Sequence, residues 1–380
     1  MDKAAIVGVA QTKYEKRKKE QIFADMVFDV TREALDDAGL TIKDIDNVVT
    51  VSNDFYDGRT ISGMAVGDAC GAEDKNVSTV SGDGSFGAFY GLMRVLSGYK
   101  AAIVVAHYKG SEGNVNITTN GMFDPIFHRH LGLDAISSAA LQANAYMTRY
   151  GISEEDVAKV SVKNHGNAKN NPYAQLPLEI TVADVMKSRK IAEPLKLLDC
   201  CPNSDGAAAI IIVNEEMAGK CKKKPVWIKG VSHCCEDYFL GDRDLANPVA
   251  LAAAAKRAYA MAGIGNPAEE ISVAEILEPF SYMEPLWLEG LGICQPGEGG
   301  KLIDQGITVM GGKLPVNPSG GALSANPILV AGLARLIEAS LQVRGEAGSR
   351  QVKKVNNALA HGFNGPCGQS HCVWIVSGNK

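Results

Sequence analysis

Two glycine-rich turns carry most of the groups in this sequence that are able to do chemistry. The first, VSGDGSFGAFYGLMRVLSG at 80–98, puts Ser81 and Asp83 just ahead of a run of small and apolar residues at helical spacing. A helix opening at such a turn aims free N–H groups and the positive end of its dipole at whatever precedes it, which favours an anion or a thiol of depressed pKa. No cysteine stands there. Ser81 reads as a helix N-cap or as a hydroxyl nucleophile without a nearby base, and Asp83 as a first-turn acid, a catalytic carboxylate or a substrate contact. The second turn, VNPSGGALS at 316–324, offers Ser319, Gly320 and Gly321 as substrate-binding backbone. After the apolar run ISVAEIL, Glu278 stands at a predicted strand end, where α/β sheets present side chains to the ligand crevice, and Tyr282 nearby supplies a phenol. Close to the C-terminus, His361 and His371 flank Cys367-Gly368; a histidine beside a thiol can depress its pKa and make Cys367 acid, base or nucleophile, and a buried inert thiol is the equal alternative. His165, in KNHGNA, reads equally as a structural hydrogen bonder or a ligand contact.

These groups need a scaffold, and the apolar patterning supplies one. AAIVGVA (4–10), FADMVFDVTREALDDAGL (23–40) and IDNVVTVS (45–52) read as strand, helix and strand, with Gly39 stopping the helix. VWIKGVS (226–232), NPVALAAAAKRAYAMAG (247–263) and ISVAEILEP (271–279) repeat that order. In each half a glycine turn then opens a small-residue helix that runs into a buried strand. The expected architecture is α/β, two copies of one unit related by a pseudo-twofold, with both glycine-turn helices starting near its axis. Residues 1–109 form the N-terminal half, 110–225 an excursion that completes it as a lid or substrate wall, and 226–380 the C-terminal half. Within the excursion 136–151 and 153–168 are helix-like.

Composition narrows the function class. A formal net charge of −5 with 21% charged residues gives no basic footprint for nucleic acid, and KCKKKP at 220–225 reads as a solvated turn. No apolar run reaches membrane-spanning length. The nine cysteines lack CxxC spacing, and Cys200, Cys201, Cys234 and Cys235 are expected to pack as small hydrophobes in a cytoplasmic, reducing setting. His128 and His130 in FDPIFHRHLGLDA have neither i,i+4 spacing nor a third ligand, so no metal is expected.

The sequence resembles the thiolase superfamily, of the lipid-transfer-protein (sterol carrier) type, over nearly its whole length. The resemblance rests on AIVGVAQTKY, EALDDAGLTIKDID, KNHGNAKNNPYAQ, ITVADVMKSRKIAEPLKLLDCCPNSDGAAAIII and VNPSGGALS. It implies a five-layered αβαβα fold from two repeats, a homodimer through the N-terminal halves, and CoA or acyl-CoA as substrate with no covalently bound cofactor. The family nucleophile, a cysteine, falls on Ser81; the histidine of its GHP motif falls on Asn326; the NEAF-like site reads Leu277-Glu278-Pro279-Phe280. His361 matches a histidine of the lipid-transfer type, and Cys367-Gly368 keeps the C-terminal CxG-like turn.

VSNDFYDGRTIS and GDGSFGAFYGL are moreover similar to the benzoylsuccinyl-CoA thiolase subunits of anaerobic aromatic degradation. That likeness implies thiolysis of 2-benzoylsuccinyl-CoA to benzoyl-CoA and succinyl-CoA with a small zinc-finger/OB-fold partner subunit. Thiolysis here would draw on Cys367 with His361 for thiol chemistry and on backbone N–H groups near Ser81 and Asn326 for the oxyanion. A second reading is a thiolase-like retro-aldolase on a 3-hydroxyacyl-CoA, which needs no cysteine and has Tyr282, Glu278 or Asp83 as base. A third is a silent scaffold that binds acyl-CoA or a partner.

Overall fold

The computed structural model describes residues 3–380. Its strands are β1 (Ala4–Gln11), β2 (Asn47–Val51), β3 (Asn76–Val80), β4 (Ala101–Lys109), β5 (Lys190–Ala192), β6 (Leu195–Lys196), β7 (Asp205–Asn214), β8 (Val226–Cys235), β9 (Val273–Glu275), β10 (Asn357–Asn364) and β11 (Ser370–Ser377). The helices that matter below are α1 (Phe23–Ala38), α2 (Asp54–Asp57), α3 (Gly84–Leu96), α4 (Val115–Asn120), α5 (Ala135–Tyr150), α6 (Glu154–Ala168), α7 (Val249–Ala262), α8 (Gly321–Ser324) and α9 (Ala331–Arg344).

Nine strands form one mixed sheet in the order β3-β2-β4-β7-β1-β8-β11-β10-β9. Five belong to the first half of the chain and four to the second. Among the described residues, the halves meet edge to edge through two residue pairs, Ala5 with Trp227 and Ile6 with Val226. The internal repeat is visible at side-chain scale. A Cβ on Gly8 would stand 2.3 Å from the Ala34 carbonyl oxygen of α1, and one on Gly230 would stand 2.1 Å from that of Ala258 in α7. Each half therefore uses a strand glycine to let its outer helix lie directly on the sheet.

Three apolar cores separate five layers. One lies between α1 and the outer face of the first half-sheet, one between α7 and the second, and the largest surrounds α3 and α9, which are sandwiched between the inner faces. Strands alternate side chains between faces, so β4 sends Ile103 and Val105 outward and Val104 and Ala106 to the central core. α1 is amphipathic: Met26, Val27, Val30, Ala34 and Ala38 are buried on one face and the chain leaves through Gly39 at φ 70°.

The excursion after β4 contains α5 and α6 where the sequence places helices, and it returns through β7, a central strand paired with both β4 and β1. Among the described residues no helix is long and apolar enough to cross a membrane.

Candidate active site

The C-terminal ends of β2, β3, β9 and β10 open onto a cavity of about 590 Å³. Its polar floor comes from Asn53, Ser81, Asp83, Asn326 and Asn364, and its walls are mainly apolar, with Phe55, Tyr56, Met122, Ile136, Leu277, Phe280, Met283, Ile328 and Phe363. The cavity also meets three thiols, Cys200, Cys201 and Cys367.

Asp83 is the best-constrained group there. Its backbone is extended (φ −75°, ψ 147°) and its side chain caps α3, accepting from Ser85 N at 2.9 Å. The same oxygen accepts from Ser85 Oγ at 2.5 Å, and the other accepts from Gly332 N at 2.7 Å, in the first turn of α9. One carboxylate thus receives the N-terminal ends of both middle-layer helices. Close approach is possible because two neighbours lack side chains: a Cβ on Gly332 would lie 2.0 Å, and one on Gly362 2.5 Å, from Asp83 Oδ1. Burial raises the carboxyl to about 6, while the hydrogen bonds from Ser85 and Gly332 pull the other way. Asp83 is mostly ionised at neutral pH and gains a proton just below it.

The serine reading is corrected by this geometry. Ser81 is exposed, lies in the loop ahead of the helix and accepts from Asn53 Nδ2 at 2.8 Å; the cap is Asp83, two residues on. Asn326 lines the cavity, but its backbone N–H already donates to Ser204 Oγ at 2.9 Å, so it is not a free oxyanion donor. Its side-chain amide donates to Cys201 Sγ at 3.0 Å.

Cys367 does face the cavity, at φ 54°, yet it is not activated. Its thiol donates to the Ser138 carbonyl at 3.2 Å, and burial pushes it up to about 12. The expected depression by histidine fails because the thiol's hydrogen bond goes to Ser138 and the imidazoles pair with each other: His361 is fully buried, with its Nε2 2.9 Å from His371 Nδ1 and its ring edge-on to Trp287. Burial lowers His361 to about 3 and His371 well below its ordinary value, so neither is an imidazolium. Cys201 is likewise held up at about 12 by burial. It and Cys200 are half-buried on the cavity wall; Cys200 and Cys234 also pack against the core as small hydrophobes. Cys367→Ala is expected to leave turnover unchanged, and iodoacetamide at neutral pH to label the exposed Cys235 well before Cys367, as read by peptide mass mapping. A folded Cys367→Ala protein without activity would return the thiol to the chemistry.

The remaining sequence candidates stand behind the wall. Leu277 and Pro279 face the cavity; Glu278, between them on extended chain, points the other way. It is buried, accepts from Asn164 Nδ2 at 3.0 Å and from Ala322 N at 3.1 Å, and burial raises it to about 8. Its visible task is to pin α8, so the expectation that it reaches the crevice is not met. Tyr282 donates to Gln142 Oε1 at 2.9 Å from a fully buried position and is raised far above the ordinary phenol range, which removes it as a base. Ser319 donates to Glu275 Oε2 at 2.6 Å, and Gly320 and Gly321 start α8 beside Glu278 and Asn317. His165 Nδ1 donates to the Leu176 carbonyl at 2.9 Å, which is the structural alternative of its two readings. None of these six lines the cavity. His128 packs edge-on against Phe123 instead.

Matches to known proteins agree with the architecture. The family model "Thiolase, N-terminal domain" matches residues 4–216, and "Thiolase C-terminal domain-like" matches 233–378. An acetyl-CoA acetyltransferase of Methanothermobacter thermautotrophicus is 34% identical over 377 residues, covering 97% of this chain and 98% of the relative. The benzoylsuccinyl-CoA thiolase subunit BbsB of Thauera aromatica is 36% identical over 231 residues, 60% of either chain. The solved Ltp2-ChsH2(DUF35) aldolase superposes with a TM-score of 0.86 at 26% identity, covering 100% of this chain and 98% of that one.

Proposed function

We propose that this chain, which belongs to the thiolase family and within it to the sterol carrier protein 2 type, is an acyl-CoA carbon–carbon bond enzyme working by aldol chemistry. The substrate would be a 3-hydroxyacyl-CoA, split into a carbonyl compound and a shorter acyl-CoA. The single observation that carries this reading is that an ionisable carboxylate, Asp83, occupies the meeting point of the two middle helices, while burial holds the three thiols at the cavity, Cys200, Cys201 and Cys367, protonated. Thiolysis needs a thiolate to carry the acyl group; retro-aldol cleavage needs only a base for the hydroxyl and stabilisation of the enolate. The likeness to a solved aldolase over the whole chain supports the same choice. That aldolase pairs its thiolase-like chain with a DUF35 chain, and we extend to this protein a small zinc-finger/OB-fold partner of that kind.

Thiolysis, with 2-benzoylsuccinyl-CoA as the acyl substrate, is the second reading, and the match to BbsB favours it. A homodimer is part of either proposal: β3 is an edge strand with Val77 exposed, and the exposed Tyr90 of α3 stands beside it, its hydroxyl 3.3 Å from Ser78 Oγ. Sedimentation of the purified chain reads that directly.

The apolar, aromatic cavity suits a ring at C3 of the acyl chain, so the test uses 3-hydroxy-3-phenylpropanoyl-CoA, with and without the co-expressed partner. The aldol reading expects benzaldehyde and acetyl-CoA with no demand for free CoA. Inertness toward this thioester, together with CoA-dependent cleavage of a 3-oxoacyl-CoA, would overturn it in favour of thiolysis.

A further inference from the structure

Cleavage leaves an enolate that must be protonated at C2, and the acid that does this is a separate assignment from the base that takes the C3 hydroxyl proton. Tyr56 is the unassigned group best built for it. Its ring lines the cavity, and among the described residues the only hydrogen-bond partner of its hydroxyl is the Met122 thioether, at 3.5 Å. Sulfur is a weak acceptor, so the O–H remains available to a substrate. Tyr108 meets the ring edge-on with centroids 5.7 Å apart, which fixes its plane.

The backbone brings this phenol to the same end of the sheet as Asp83. β2 and β3 run parallel with Val51 opposite Val80, so the loops carrying Tyr56 and Asp83 leave neighbouring strands side by side. Asn53 then ties them together: its Oδ1 accepts from Tyr56 N at 3.3 Å and its Nδ2 donates to Ser81 Oγ at 2.8 Å. Burial raises the phenol to about 12, which keeps it a proton donor at all working pH values.

The geometry points to Tyr56 as the general acid that protonates C2 of the enolate on one face. This rests on the aldol reading above. The C3 hydroxyl gives its proton to the Asp83 carboxylate as the C2–C3 bond breaks. The bonding pair moves into the thioester enolate and a carbonyl compound leaves. Tyr56 O–H gives its proton to C2, completing the acyl-CoA, and the protonated Asp83 returns its proton to the phenolate through solvent. No oxidant, reductant or free CoA is consumed.

The test uses the full chain with its partner and 3-hydroxy-2-methyl-3-phenylpropanoyl-CoA in D₂O, following benzaldehyde and the deuterium at C2 of propionyl-CoA. The wild type is expected to place deuterium on one face. Tyr56→Phe is expected to lose roughly 10²–10³-fold in kcat with little change in KM, and to deuterate both faces. Asn53→Ala keeps the phenol but unties it from the Ser81 loop, and is expected to lower facial purity while still cleaving. Cleavage by wild type with full rate and facial purity in both variants overturns the assignment of Tyr56 and leaves the aldol reading standing. Failure of the wild type to cleave while it thiolyses a 3-oxoacyl-CoA overturns the aldol reading, and the acid goes with it.

Discussion

Asp83→Asn is expected to lower kcat for carbon–carbon cleavage by roughly 10²–10⁴-fold, the range of a positioned general base. The substitution keeps the shape of the side chain and its bonds to Ser85. It removes the only ionisable oxygen pair on which the ends of α3 and α9 converge. The wild-type rate should depend on the ionised carboxylate, so it falls as pH drops through about 6 and levels off above it. The variant's residual rate should show no such limb. A kcat profile between pH 4.5 and 8.5 for both proteins checks this, and an Asp83→Asn enzyme with wild-type turnover would remove Asp83 from the mechanism.

The same raised carboxyl acts on stability in a definite direction. It ionises in the ordinary carboxylate range when unfolded and at about 6 when folded, so the folded chain holds more protons between those values. Its contribution is full below the unfolded value, declines as pH rises through that window and is constant above it.

Arg335→Ala is expected to cost about 3–5 kcal/mol, the usual price of breaking a buried ion pair from one side. Arg335 Nη1 donates to Glu275 Oε2 at 2.8 Å and to Ser319 Oγ at 2.5 Å, and both charged partners are almost wholly buried. Burial already pushes Glu275 upward, and Arg335 is the main group opposing it. Without the guanidinium the carboxyl rises further. The loss should therefore be larger at pH 8, where an unpaired carboxylate must be buried, than at pH 5.5, where the group is neutral. Urea unfolding at the two pH values measures this; an equal loss at both, or one under about 1 kcal/mol, would show that Arg335 acts through packing alone.

The scaffold was legible because it depends on local patterns. Helix periodicity located α1, α5, α6 and α7, and paired glycine-stopped helices exposed the repeat. Single side chains were harder to place. Ser81 and Asp83 both lie in a cap-forming turn, and only the backbone dihedrals decide which one turns inward. Glu278 failed on parity, since a one-residue step along extended chain exchanges cavity for interior. Cys367 failed because closeness to histidine in sequence says nothing about the Ser138 carbonyl brought to it from α5. Tyr56 and Cys201 were missed, although Tyr56 carried a usable signal: it follows a buried strand by a few residues, where α/β folds collect ligand-binding loops.

The carboxylate of Asp83 is held by Ser85 from its own half of the chain and by Gly332 from the other. Neither half can assemble that site alone. Asp83 and Gly332 are 249 residues apart, and contacts of high sequence separation form late because their entropic cost must be met first. Recovery of activity during refolding is thus tied to docking of the halves rather than to growth of either helix. An ancestral single repeat would have had to pair with another copy before it possessed this carboxylate site.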